Sequence, residues 1–404
     1  MFLNKNIILL LLGQGFSGAV VSLLTFSSGL AGKWLLDGIL YAKACLHCHN
    51  SSFASLPISA TLCGAFIAVF FSSNLMQKFG RKKVFLYASL IGCLGAGFAM
   101  FSLVSGLFYL FCFATFLLGF FTALNQFYRF LANEALNLAT QNDKNRATAF
   151  VVAGGIMGGI LGPNLANIGT LIFDTPFVGS FLFALLLCAI NFAITLPLTL
   201  TSPNTKKPSQ KVPLLTCLKE PNFILATLAC AFGFAFMTLI MNAAPLAMSE
   251  YKFSYDEAKS VLVWHFIAMY APSLFLAFFM KNLSPFRLIL LGILFYLIAV
   301  LVALFSVSFW GFWVSLVLVG IGWAFSFNGG TFMLNAINSE YKLRLQGLNA
   351  ISIFGANLLA SSSVGFVLAS GGWEVLNLIS FGFIVIFFIL FYIFRMQDNL
   401  LSPN

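Results

Sequence analysis

The chain of 404 residues carries 21 Lys and Arg against 11 Asp and Glu, so 8% of it is charged, while 60% is hydrophobic and 50 residues are Phe. A soluble domain averages about 25% charge, so this balance describes a polytopic membrane protein. It excludes a water-soluble fold, a secreted disulfide mini-domain, a disordered chain and an ordinary dinucleotide-binding or barrel enzyme. The net charge of +10 has the sign that attracts nucleic acid, but basic residues must first be placed relative to a membrane before that sign has a meaning.

Apolar runs long enough to cross ~30 Å of hydrocarbon as helices recur twelve times, near 7–30, 54–76, 84–104, 107–128, 147–170, 177–200, 222–247, 257–280, 286–306, 309–331, 345–368 and 374–395. Membrane strands would alternate polar and apolar residues; these runs are apolar on every face, so the fold class is all-α with twelve transmembrane helices. The first run follows Lys5 but exceeds the apolar stretch of a signal peptide, and removing it would leave an odd number of spans.

Between spans 1 and 2 lies Cys45-Leu-His47-Cys48-His49. Three readings of it stand open: outer capture of a soft metal by two thiols and two imidazoles, a Cys45–Cys48 disulfide or redox pair, and a C-x-x-C-H attachment site for c-type haem. At the inner end of span 4, Arg129 and Glu134 read equally as an ion pair that closes a cytoplasmic gate and as a solvated interfacial pair. Span 5 carries Gly154-Gly155-Ile-Met-Gly158-Gly159-Ile-Leu-Gly162-Pro163, which reads equally as a close helix-packing seam and as a gating element.

Residues 201–220 are polar, Pro-rich and basic, and read as a linker between six-helix halves at 1–200 and 221–404. The halves echo one another: Phe70-Phe71-Ser-Ser-Asn74-Leu75 at the end of span 2 is matched by Phe278-Phe279-Met-Lys-Asn282-Leu283 at the end of span 8. With the N-terminus inside, 17 basic residues fall in cytoplasmic loops and only Lys33, Lys43, Lys252 and Lys259 outside. That asymmetry puts both termini in the cytoplasm and turns the +10 charge into topology and lipid contact rather than nucleic-acid binding.

The membrane interior is poor in chemistry. All eleven carboxylates sit at span ends or in loops, which leaves no acid–base cleft for an enzyme and no evident carboxylate for proton coupling. One ionisable side chain lies deep, His265 in span 8, and Met269 follows it by four residues on the same helix face, with Met280 continuing that face. In span 7, Cys230, Met237, Met241 and Met248 fall within about 40° of one another around a helix. Neutral thioether and imidazole donors without a carboxylate favour Cu(I) over zinc or the hard divalent cations. Each feature also has a plainer reading, since Met packs in membrane helices and a buried His can bond a backbone carbonyl.

Ser73-Asn-Leu75-Met-Gln77-Lys78-Phe-Gly80-Arg81-Lys82, after span 2, resembles the loop signature of the major facilitator superfamily, with Ser73 and Gln77 where that signature has Gly and an acid. Met237-Thr-Leu-Ile-Met241 with Pro245, and His265-Phe-Ile-Ala-Met269 with Pro272, resemble the paired signatures of CcoA-type bacterial copper importers within that superfamily, although Asn242 replaces the usual Thr. Asn125-Gln-Phe-Tyr128-Arg129-Phe130 and Gln346-Gly-Leu-Asn349 also resemble that group. The resemblance implies a midplane cavity between two rocking halves of an inner-membrane protein that imports copper for haem–copper oxidase assembly. Met237, Met241, His265 and Met269 would carry the ion, Pro245 and Pro272 would loosen the helices, and an outer donor and a cytoplasmic chaperone would be partners. No permanent cofactor is expected, since copper is cargo. Two rivals remain: a carrier for an organic solute such as a vitamin, siderophore or drug, with the Phe-rich interior and Met stripe as apolar lining, and a non-transporting copper sensor or chaperone.

Overall fold

The computed structural model describes residues 3–42, 56–136, 139–199, 214–218, 220, 222–279 and 284–401. The Cys45, His47, Cys48 and His49 cluster, Met280 and most of the linker lie outside the described residues. The described residues are helical almost throughout, and eleven helical stretches are long and apolar enough to cross a membrane.

Helix α1 (Lys5–Ala42) is followed by α2 (Leu56–Phe79), α3 (Arg81–Ser105) and α4 (Phe108–Ala123). A tight 3-10 turn over Leu124–Phe127 joins α4 to α5 (Tyr128–Glu134), so span 4 continues past its expected end. Likewise α1 runs beyond the expected boundary at residue 30. The glycine-rich fifth span is two helices, α6 (Gln141–Ala153) and α7 (Gly155–Gly169), meeting at Gly154. After α8 (Val178–Thr195) and the short α9 (Leu214–Leu218) come α10 (Phe223–Glu250), α11 (Tyr255–Phe279), α12 (Pro285–Phe305) and α13 (Phe309–Ala336).

The final stretch, α14 (Lys342–Leu401), has 60 residues, about three times what one crossing needs. Its backbone leaves helical geometry at Gly371 and Gly372, and Gly372 has a φ of 65°, a conformation that costs glycine nothing and an L side chain a clash. This break separates expected spans 11 and 12, and eleven long stretches therefore supply the twelve crossings. The outward surface is apolar: Tyr109, Leu171, Phe305 and Phe366 are among its most exposed side chains, as a protein solvated by lipid tails requires.

Packing divides the chain into two units. The first holds α1–α5, α7 and α8, with α2 on α4, α1 on α7 and α8, and α3 on α4 and α8. Its α1–α7 seam is backbone on backbone: a Cβ at Gly162 would come within 1.9 Å of Ser22 Oγ and 2.6 Å of the Ala19 carbonyl oxygen. Ser22 Oγ donates to the Gly158 carbonyl at 2.7 Å, tying the seam together. Polar side chains brace the unit elsewhere, since Tyr128 Oη donates to Asn191 Oδ1 at 2.7 Å and Asn191 Nδ2 to the Gly13 carbonyl at 3.0 Å.

The second unit holds α6 and α9–α14. Within it α13 is the hub, packed on α10, α11 and α12, while α14 packs on α10 and α12. Helix α6 belongs here by its packing on α11, where Arg146 Nε donates to the Ala277 carbonyl at 2.7 Å and Phe150 meets Phe278 edge to face.

Candidate functional site

His265 is fully buried on α11, and its Nδ1 lies 2.7 Å from the Leu316 carbonyl oxygen on α13. A carbonyl only accepts, so Nδ1 carries the proton and Nε2 keeps its lone pair. Nε2 has no hydrogen-bond partner among the described residues. Glycine explains the fit: a Cβ at Gly320 would approach the His265 carbonyl oxygen to 2.8 Å and the Met269 nitrogen to 3.0 Å, so α13 can nest against this stretch of α11 only because Gly320 has none.

The imidazole thus sits in the α11–α13 seam. Its sequence neighbour on the same face, Met269, is also buried. On α10, Cys230, Met237 and Met248 are buried and Met241 is half-buried. Cys230 belongs to the α10–α13 contact, with its Sγ 3.8 Å from the Phe327 carbonyl and 4.0 Å from Thr331 Oγ1. The two sulfur-bearing helices both pack on α13 more extensively than on each other. Pro245 and Pro272 lie inside α10 and α11 respectively.

At the other end of the expected gate, Glu134 pairs with Arg81, the arginine of the loop signature, across elements 53 residues apart in sequence. Arg129 bonds the Gln126 carbonyl through Nε at 3.1 Å and lies 4.5 Å over the Phe130 ring. Arg129 and Glu134 are five residues apart on α5, about 140° around a helix, so they face different ways. The acid that Gln77 fails to supply in the signature loop is found at the end of span 4 instead.

Two features of the second unit were not among the expected site residues. The first is an aromatic cluster over α13. Trp323 and Phe327 stack at 4.7 Å and 14°, and Phe234 of α10 and Tyr270 of α11 present edges to Trp323 at 5.1 Å and 5.4 Å. Phe234 also meets Phe327 at 5.2 Å. Trp323 is buried and its Nε1 has no hydrogen-bond partner among the described residues, whereas Phe234 and Tyr270 are only half-buried.

The second is a polar ladder between α10 and α14. Asn349 Nδ2 donates to Thr227 Oγ1 at 3.3 Å, Thr238 Oγ1 donates to Asn357 Oδ1, and Asn242 Nδ2 donates to Ser361 Oγ at 3.2 Å. At about 100° per residue, Phe234 and Met241 project from α10 on the arc between Cys230, which touches α13, and Thr238 and Asn242, which touch α14. On another side of α10, Tyr296 Oη of α12 donates to the Gly233 carbonyl at 3.2 Å. Aromatic surface and polar ladder therefore flank one arc of one helix. The signal for the ladder was legible: Thr238 with Asn242, and Asn357 with Ser361, are polar pairs at i, i+4 within otherwise apolar spans. The aromatic cluster had no such signal, because 50 Phe residues hide it.

Comparison with known proteins agrees with this architecture. Residues 6–243 match the family described as Major Facilitator Superfamily. The riboflavin transporter RfnT of Brucella anthropi is 30% identical over 385 residues, covering 94% of this chain and 92% of that protein. YddS of Bacillus subtilis, described as an uncharacterized transporter of the same type, is 25% identical over 93% of this chain and 87% of its own. Among solved structures, the proton:xylose symporter XylE superposes with a TM-score of 0.73 at 13% identity, over 94% of both chains. A bacterial homologue of the iron transporter ferroportin superposes with a TM-score of 0.71, also at 13% identity, over 98% of this chain and 100% of that one. The last two likenesses concern the fold alone. The family match over residues 6–243 and the 30% identity to RfnT along nearly the whole chain, together with the twelve apolar crossings, make this chain a member of the major facilitator superfamily and a secondary transporter.

Proposed function

We propose that the protein carries a riboflavin-like organic solute across a bacterial inner membrane, with both termini on the cytoplasmic side as the distribution of basic residues indicates. The observation that carries this reading is the 30% identity to a riboflavin transporter along 94% of the chain. The aromatic cluster supports it: planar heteroaromatic rings are held by stacking and edge contacts, and a buried indole N–H without a partner is a ready donor to a ring carbonyl or nitrogen. This reading displaces copper import, the main expectation from the sequence, in favour of its organic-solute rival.

Copper remains a second reading on one observation, the buried and unpartnered His265 Nε2, whose lone pair suits a soft monovalent cation. Against it, the other ring nitrogen is committed to a backbone carbonyl in a helix seam, the arrangement of a packed structural histidine. In that reading copper is the cargo, whereas the sensor or chaperone alternative places the ion on the Cys45, His47, Cys48 and His49 loop, which lies outside the described residues.

Uptake by proteoliposomes separates the readings. Labelled riboflavin should accumulate to the equilibrium level and be displaced by unlabelled riboflavin, and an imposed potential should leave its initial rate unchanged because the solute is uncharged. A potential acts on Cu(I) with ~2.3 kcal/mol per 100 mV. Potential-driven copper entry with no riboflavin entry would overturn the proposal.

A further inference from the structure

We infer that the second unit recognises its solute in two parts: a planar heteroaromatic ring at Phe234, Tyr270, Trp323 and Phe327, and a hydroxylated chain joined to that ring along Thr238–Asn357 and Asn242–Ser361. The inference rests on the organic-solute reading and deepens it by naming the specificity-determining residues.

The ring site follows from which aromatic faces are reachable. Trp323 and Phe327 stack on each other and are buried, so they form the floor, and the half-buried Phe234 and Tyr270 stand edge-on to it as movable walls. An incoming ring gains stacking and edge contacts from these walls and brings an acceptor to Trp323 Nε1, which otherwise stays buried without a partner.

The chain site follows from the ladder's chemistry. Asn242, Asn357 and Ser361 are half-buried, and each pair joins a hydroxyl to a carboxamide. Such pairs can open to admit a polyol, because every hydroxyl that enters both donates and accepts and so replaces what it breaks. Thr238 lies one turn beyond Phe234 on α10, ~6 Å along the axis, so a substituent leaving the ring edge there reaches the ladder directly. An apolar flat solute would satisfy the aromatic cluster alone, and a free polyol the ladder alone. The arc between them fits a molecule that is both.

The test uses the full-length protein in proteoliposomes with labelled riboflavin as substrate and two competitors: lumichrome, which has the ring without the polyol chain, and ribitol, which has the chain without the ring. Asn357→Ala and, independently, Ser361→Ala should raise the KM for riboflavin about fivefold, the loss of one hydrogen bond. Lumichrome inhibition in both should stay within about twofold of the original, which also shows that the ring site is folded. Trp323→Phe should weaken riboflavin and lumichrome by the same factor, and ribitol alone should compete poorly throughout. The two-part site is overturned if the ladder variants leave riboflavin KM unchanged, or weaken lumichrome as much as riboflavin, while the parent protein still transports riboflavin. If the parent protein neither transports riboflavin nor responds to lumichrome, the organic-solute reading falls and takes this inference with it.

Discussion

The α1–α7 seam of the first unit and the α10–α11–α13 region of the second are both helix contacts inside a membrane protein, and they differ in what surrounds the close backbone approach. In the first, glycines bring backbones together and the hydroxyl at the contact is satisfied, since Ser22 Oγ bonds the Gly158 carbonyl. In the second, Gly320 likewise admits the α11 backbone, but rings pack around the contact and the buried His265 Nε2, Trp323 Nε1 and Asn328 Oδ1 have no hydrogen-bond partner among the described residues. Without a hydrophobic driving force between helices in lipid, association depends on close packing, so the first contact reads as structural. Leaving a buried polar group unpaired costs stability, and Trp323 Nε1 is the one that the proposed solute would pair.

The comparison breaks most sharply at Gly162. Gly162→Val should abolish recovery of monodisperse protein from detergent, because even the first carbon of the new side chain meets Ser22 and the α1 backbone, and overpacking of this kind costs about 1–3 kcal/mol or more. Recovery of normal protein would show that the seam is looser than described. Next comes Glu134→Ala, which removes one partner, the paired carboxylate, from the buried Arg81 guanidinium and should lower thermal stability by up to about 3 kcal/mol. Glu134→Gln should recover part of that loss by keeping a hydrogen bond. If the alanine variant melts with the original protein, Arg81 has another way to satisfy its charge.

In the second unit the expected effect falls on transport more than on folding. Trp323→Ala should cut riboflavin uptake at least about tenfold while the purified protein remains monodisperse. Smallest of all, Met237→Leu keeps volume and polarity, and should leave riboflavin uptake within about twofold. The same substitution would abolish copper uptake if the thioether is a ligand, so it sharpens the distinction between the two cargoes.

The crossings were legible because a helix in lipid must hide its backbone polar groups and clothe itself in apolar side chains for its full length, a pattern nothing else in the chain imitates. The break at Gly371–Gly372 is where the last two crossings had been separated. The partnership of Arg81 with Glu134 was not legible, because it joins residues 53 apart whose helices must first be packed. His265 stood out as the deep ionisable residue, yet its sequence could not tell that Nδ1 bonds Leu316 on a helix 51 residues away, and that bond moves it from an expected cavity face into a seam. Sulfur at helical spacing lies on one side of α10, where Cys230, Met237 and Met248 are buried and Met241 is half-buried. Burial alone does not separate ligand from packing, and the polar pairs Thr238 with Asn242 and Asn357 with Ser361 were the legible sign of the α10–α14 ladder on which the proposed recognition rests.

The most direct test of the central claim is initial-rate uptake of labelled riboflavin by proteoliposomes holding the original protein or Trp323→Ala. The account predicts saturable entry, independent of membrane potential, that the substitution reduces at least about tenfold. Saturable entry that survives loss of Trp323 would contradict the ring site, and absence of riboflavin entry alongside potential-driven copper entry would contradict the function.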